Sequence, residues 1–145
     1  MRTWIAVLAL TLLPLAAGCG NRTDDYCSAV KDHQEELTKI TGDGGQDSLI
    51  KALSIFEDLQ GKAPSDITDE WQQVVSRIKA LDDALQAAGV DPATYDRTKP
   101  PQGLTTEQKA RIDAAARELG SGETLAALQG LDQEARDVCQ TSLTL

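Results

Sequence analysis

Residues 64–90 read PSDITDEWQQVVSRIKALDDALQAAGV, and their spacing decides the fold class. Ile67, Trp71, Val74, Ile78, Leu81 and Leu85 recur at intervals of four and three, so they line one face of an α-helix. Pro64-Ser65-Asp66 opens the segment with helix-start residues. Asp66, Asp69 and Glu70 fall in the first turn, where the helix dipole favours acids. Gly89 follows as a left-handed cap, with Val90 behind it. At about 1.5 Å per residue such a helix is roughly 33 Å long.

Four further helices can be read around this one, and no strand. The first starts after Asp24-Asp25 and carries Tyr26, Val30, His33, Leu37 and Ile40, ending at residues 41–45, TGDGG. The next begins near Asp47, buries Leu49, Leu53, Phe56 and Leu59, and stops at Gly61. On the C-terminal side, Thr105 and Gln108 have capping-box spacing ahead of Ile112, Ala115, Ala116 and Leu119, with a stop at Gly120. The last helix runs through Leu125, Leu128, Leu131, Ala135 and Val138 to Cys139, and Gly130 weakens its middle. A core of Leu, Ile, Val and Ala with few rings predicts an all-α fold: a small antiparallel bundle of four to five helices.

Composition narrows the function classes. The formal net charge is -9, which argues against nucleic acid or anionic lipid headgroups as partners, because both require basic patches. Past residue 18 the chain has one histidine, no methionine and four aromatics, Tyr26, Phe56, Trp71 and Tyr95. Copper or zinc sites draw on several His, Met or free Cys ligands, and base-stacking platforms on runs of aromatics. The expectation is therefore no metal and no cofactor.

The N-terminus sets the compartment. Arg2 precedes an apolar run from Trp4 to Ala17 that is too short for a permanent membrane span and has the form of a signal-peptide core. Leu15-Ala16-Ala17-Gly18-Cys19 resembles a bacterial lipobox, with leucine one place further from the cysteine than is commonest. That resemblance implies cleavage between Gly18 and Cys19, with a diacylated Cys19 attaching the protein to the outer face of the cell membrane. Two acyl chains anchor firmly without a basic patch. The expected organisation is a signal peptide at 1–18, a lipidated tether at 19–25 and a bundle at 26–145. Once Cys19 carries lipid, only Cys27 and Cys139 remain, and outside the cytoplasm such a pair is most simply a disulfide. It would close the bundle between its first and last helices.

That bond raises a problem of chain direction, since five alternating helices would leave Cys27 and Cys139 at opposite ends. Residues 90–104, with Pro92, Pro100 and Pro101, could cross the bundle lengthwise, reaching roughly 46 Å at about 3.1 Å per residue. The other solution is that the last two helices form one bent arm. The sequence reading favours the crossover.

Among chemically suggestive residues, His33 and Glu36 form His-x-x-Glu, a spacing that places both on one helical face. The string is similar to the metal-ligand motif of imelysin-like helical lipoproteins. It covers four residues, lacks the preceding glycine and sits in a chain too short for that family, so His33 is read as a core-edge residue. Residues 42–47, GDGGQD, lack the alternating acids and terminal glutamate of a calcium loop and are read as a turn. No nucleophile elbow, phosphate-binding loop or dinucleotide fingerprint occurs, and the chain is expected not to be an enzyme. The candidate interaction loop is residues 89–103, with Asp91, Tyr95, Arg97, Pro100 and Pro101 as its named residues. Asp91-Pro92 marks a short ordered turn. Tyr95 either contributes to a stiff, partly aromatic surface or plugs the bundle.

Taken with Cys19, the segments Asp24-Asp25-Tyr26-Cys27, Gly89-Val90-Asp91-Pro92, Lys99-Pro100-Pro101 and Ala135-Arg136-Asp137-Val138-Cys139 give the chain an overall likeness. It resembles the small secreted lipoproteins of high-GC actinobacteria such as Streptomyces and its relatives. The resemblance implies localisation and no catalytic activity. The expected function is a membrane-anchored extracytoplasmic module that binds another envelope protein as adaptor or scaffold. The alternative is a lipoprotein holding a small molecule or divalent cation between helices, in a pocket lined by Tyr26, His33 and Trp71.

Overall fold

The computed structural model describes residues 20–145, so the signal segment and Cys19 lie outside the described residues. Six helices and no strand occur among them: α1 (Gly20–Gly42), α2 (Ser48–Lys51), α3 (Leu53–Lys62), α4 (Thr68–Ala87), α5 (Thr106–Leu119) and α6 (Gly122–Val138).

These six helices make four legs. Trp71 at the start of α4 donates its indole N–H to the Tyr26 hydroxyl near the start of α1 (3.2 Å), so α1 and α4 run the same way. Between them, α2 and α3 return in the opposite sense, with Lys79 of α4 pairing to Glu57 (2.9 Å) and His33 of α1 to Asp58 (3.0 Å). Arg77, midway along α4, meets Glu118 at the end of α5 (3.3 Å). The start of α5 lies beside the end of α4, where Ala84 and Ala87 share a shallow groove with Thr105 and Arg111. Further down, Glu134 of α6 lies close enough to Asp66 to feel its charge. Thus α5 covers one half of α4 and α6 the other, and α5 and α6 hardly touch each other.

The legs therefore run up, down, up, down, which corrects the favoured crossover in favour of the bent arm. Its joint is local chemistry. Gly120 ends α5, and the Ser121 hydroxyl accepts the Thr124 N–H to start α6 at once. The Thr124 hydroxyl in turn donates to the Glu118 carbonyl (2.9 Å), tying one helix end to the other. With direction reset only three times, Cys27 and Cys139 arrive at the same end and are joined as a disulfide, Cα–Cα 5.0 Å.

Most predicted stripes fall inward. On α4, Ile67, Trp71, Val74, Ile78 and Leu85 are buried, and on α1, Tyr26, Val30 and Leu37. Three readings need correction. The first helix begins at Gly20 rather than after Asp25, so residues 20–25 are helix and give much less reach than an extended tether. The second is broken at Ala52 into α2 and α3, and Ile55 is buried where Leu49 and Leu53 are only partly so. On α6 the buried set is Thr124, Ala127, Leu131, Ala135 and Cys139, whereas Leu125 and Val138 are exposed. Small side chains at 124 and 127 let α6 approach α4 closely, and that approach outweighs the extra apolar area of Leu125.

After α6 the chain reverses through Gln140, whose φ of 56° is the one left-handed non-glycine among the described residues. The final residues lie in the seam between α1 and α6. Gln34 donates to the Thr141 hydroxyl (2.8 Å) and the Ser142 carbonyl (2.7 Å). Asp132 accepts the Leu143 N–H (3.1 Å) while Leu143 is buried.

Candidate functional site

Residues 88–105 form an arch standing on one end of the bundle. It begins where α4 stops: Gly89, at φ 68°, donates to the Gln86 carbonyl (2.9 Å), and Val90 reaches back to Leu85 (3.0 Å). This is the Schellman pattern, and Val90 packs on the Leu85 cluster as that pattern demands. It finishes at Thr105, whose hydroxyl accepts the Gln108 N–H (3.1 Å) while the Gln108 side chain accepts the Thr105 N–H (2.9 Å). The capping box read from the sequence is formed.

Between these ends the arch holds itself by short-range hydrogen bonds. Asp91 accepts the Ala93 N–H on its side chain (2.9 Å) and the Thr94 N–H on its carbonyl (3.2 Å). Asp96 accepts both the N–H (2.8 Å) and the hydroxyl (2.7 Å) of Thr98. Those bonds, the hydroxyl's foremost, hold the Asp96 carboxyl below the usual range. Side chains acting as turn acceptors in this way give a loop a defined shape.

The five named loop residues do not form one patch. Tyr95 is 8 % exposed and enters a cluster with Leu85 and Ile112, so it plugs the bundle from above. Arg97 is exposed and donates to Asp113 of α5 (2.9 Å), fastening the arch from outside. Asp91 and the exposed Pro101 face each other across a cleft of about 330 Å³ between the two feet of the arch, and Pro100 is half-buried. Asp113 went unremarked in the sequence. Its role depends on the arch returning to its own starting point, which spacing does not encode.

The other candidates resolve as follows. Tyr26 and Trp71 are both fully buried, bonded to each other and packed edge-on, with Phe56 against the indole. Burial pushes the Tyr26 hydroxyl up to about 12, opposed by the Trp71 hydrogen bond and slightly aided by Glu134. His33 is half-buried and bonded to Asp58, which Lys62 also grips, while Glu36 is exposed and does not join them. The Asp58 carboxyl is held below its usual range, first by the Lys62 hydrogen bond and then by that from His33. Gly44 turns the 43–47 segment at φ 63°, and Asp47 pairs with Lys51 (3.0 Å). Among the described residues no three metal-ligating side chains come together, and no helix is long and apolar enough to cross a membrane. No protein-family model, characterised protein or solved structure matches the chain.

Proposed function

We propose that this is a membrane-anchored extracytoplasmic lipoprotein that docks another envelope protein on the 89–103 arch. Its role is binding rather than catalysis. The observation that supports this reading is the bracing of the arch: Tyr95 beneath, Arg97 on Asp113 outside and a capped helix end at each foot. A loop held this way exposes Thr98, Lys99, Pro101 and Gln102 with little ordering left to do on binding. The filled space around Tyr26 and Trp71 weighs against the alternative of a ligand held there.

A lipid on Cys19 would sit beside Gly20, where α1 begins, so the disulfide end faces the membrane. The arch stands at the other end of α1, about 34 Å away at 1.5 Å per residue. A partner would thus be engaged clear of the lipid headgroups.

The test is site-specific photocrosslinking in native membranes, with the probe at Lys99 or Gln102 and, as a control, at Lys31 on α1. One heterologous protein captured from the arch but not from α1, and lost when Pro100 and Pro101 are replaced, is the expected result. Adducts confined to the protein itself or to bulk envelope proteins would end the adaptor reading. Mass measurement of the mature N-terminus checks the lipid on Cys19 separately.

A further inference from the structure

Beneath the arch lies a cavity of about 120 Å³ that the docking proposal does not use. Its floor is Leu85, Tyr95 and Ile112, each buried, and its walls are the half-buried Ile50, Leu81 and Ala116. Pro92 closes it from the arch, and the exposed Gln46 and Arg97 stand at its mouth. Four parts of the fold thus converge on one small space: α2, α4, the arch and α5.

Protein interiors are normally filled to near-crystalline density, and an unfilled apolar space costs stability. An apolar cavity of ~150 Å³ in another protein stays dry and admits benzene, which sets the scale of what this one can hold. Its wall offers methyl groups and an aromatic face. Besides the Tyr95 hydroxyl, the polar side chains that line it are Gln46 and Arg97 at the mouth, where they can meet the polar edge of a ligand. Arg97 can only donate and already has one N–H committed to Asp113, whereas the Gln46 amide can also accept, so a ligand hydroxyl that both donates and accepts suits the mouth.

We propose that this cavity is a binding site for a small, flat, mainly apolar molecule of a single ring carrying one polar edge. Because Pro92, Tyr95 and Arg97 belong both to the cavity wall and to the arch, an occupant stiffens the arch from below. The site stands whether or not the arch docks a protein.

The probe is phenol, titrated into the full-length protein in detergent and followed by methyl NMR of isoleucine, leucine and alanine. Saturable shifts at Ile50, Leu81, Leu85, Ile112 and Ala116, with Leu59, Ile78 and Leu131 unmoved, are the expected result. Ala116→Leu fills the space and should weaken phenol binding by about tenfold or more. Leu81→Phe fills it from α4 and serves if the first variant does not fold. The site is refuted if no saturable shifts appear at millimolar phenol. It is equally refuted if the shifts spread over all methyls or persist unchanged in a folded, filled variant.

Discussion

Around Trp71 the bundle is filled by side chains from all four legs and closed by a disulfide, whereas around Tyr95 it is a small cluster roofed by a loop. In the lower region Tyr26, Leu59, Trp71, Val74, Leu131 and Ala135 are all fully buried. The upper region buries only Leu85, Tyr95 and Ile112, relies on half-buried neighbours and leaves a cavity of about 120 Å³. Both are apolar cores of one continuous bundle. The difference shows that a short chain can concentrate its packing at one end and leave the other end adaptable. The adaptable end carries the candidate arch and its cavity.

The contrast can be broken by mutation, beginning with the largest expected effect. Trp71→Ala should cost about 4 kcal/mol in urea unfolding, because it empties the centre of the dense region. Tyr95→Ala should cost only about 2 kcal/mol, since its neighbours already border a void. Equal losses would mean that the two regions are packed alike.

Next comes the disulfide. Replacing Cys27 and Cys139 together by serine should cost about 3 kcal/mol. Hydrogen exchange should then accelerate most in residues 26–37 and 131–139, with little change in residues 81–88 and 108–116. A uniform acceleration would show that the disulfide supports both regions equally.

Alkali probes the lower core through Tyr26. Its hydroxyl titrates at about 12 when folded and at about 10 when unfolded, so folding favours the neutral form. That contribution is intact below pH 10 and is lost as the pH rises from 10 to 12, a fall of roughly 2 kcal/mol. Tyr26→Phe leaves the Trp71 N–H without its acceptor and is less stable at neutral pH, but the alkaline fall should vanish. An unchanged alkaline fall in that variant would assign it elsewhere.

Acid gives the smallest effect. Asp58 is held below its usual range, so its contribution is present above about pH 4 and is lost as the pH drops through the folded value. The carboxylate is 40 % exposed and screened by solvent, so Asp58→Asn should cost about half a kcal/mol at pH 7 and less below pH 3. A loss above 1 kcal/mol would give the His33–Asp58–Lys62 group a larger part in joining α1 to α3 than exposed pairs usually have.

Local chemistry explains what was legible. The α4 stripe, the left-handed Gly89 and the Thr105–Gln108 box each depend on residues within a few positions of one another, and all three are formed. The pairing of Cys27 with Cys139 was legible for a different reason, because the reading of Cys19 as lipidated left no other partner. On α6 the spacing was ambiguous. Leu131 and Ala135 are buried and Leu128 half-buried as the spacing indicated, but at the two ends of the helix hydrophobicity chose Leu125 and Val138 over their buried neighbours Thr124 and Cys139.

By itself, the sequence determined the helices, most of their inward faces and the covalent closure, because periodicity and capping act over a turn or two of helix. Tertiary structure alone decided that α5 and α6 share one leg, that Tyr95 points inward beneath the arch and that a space remains beside it. Those outcomes depend on how closely helices distant in sequence can approach, a matter of side-chain volumes meeting across the bundle rather than of spacing along the chain.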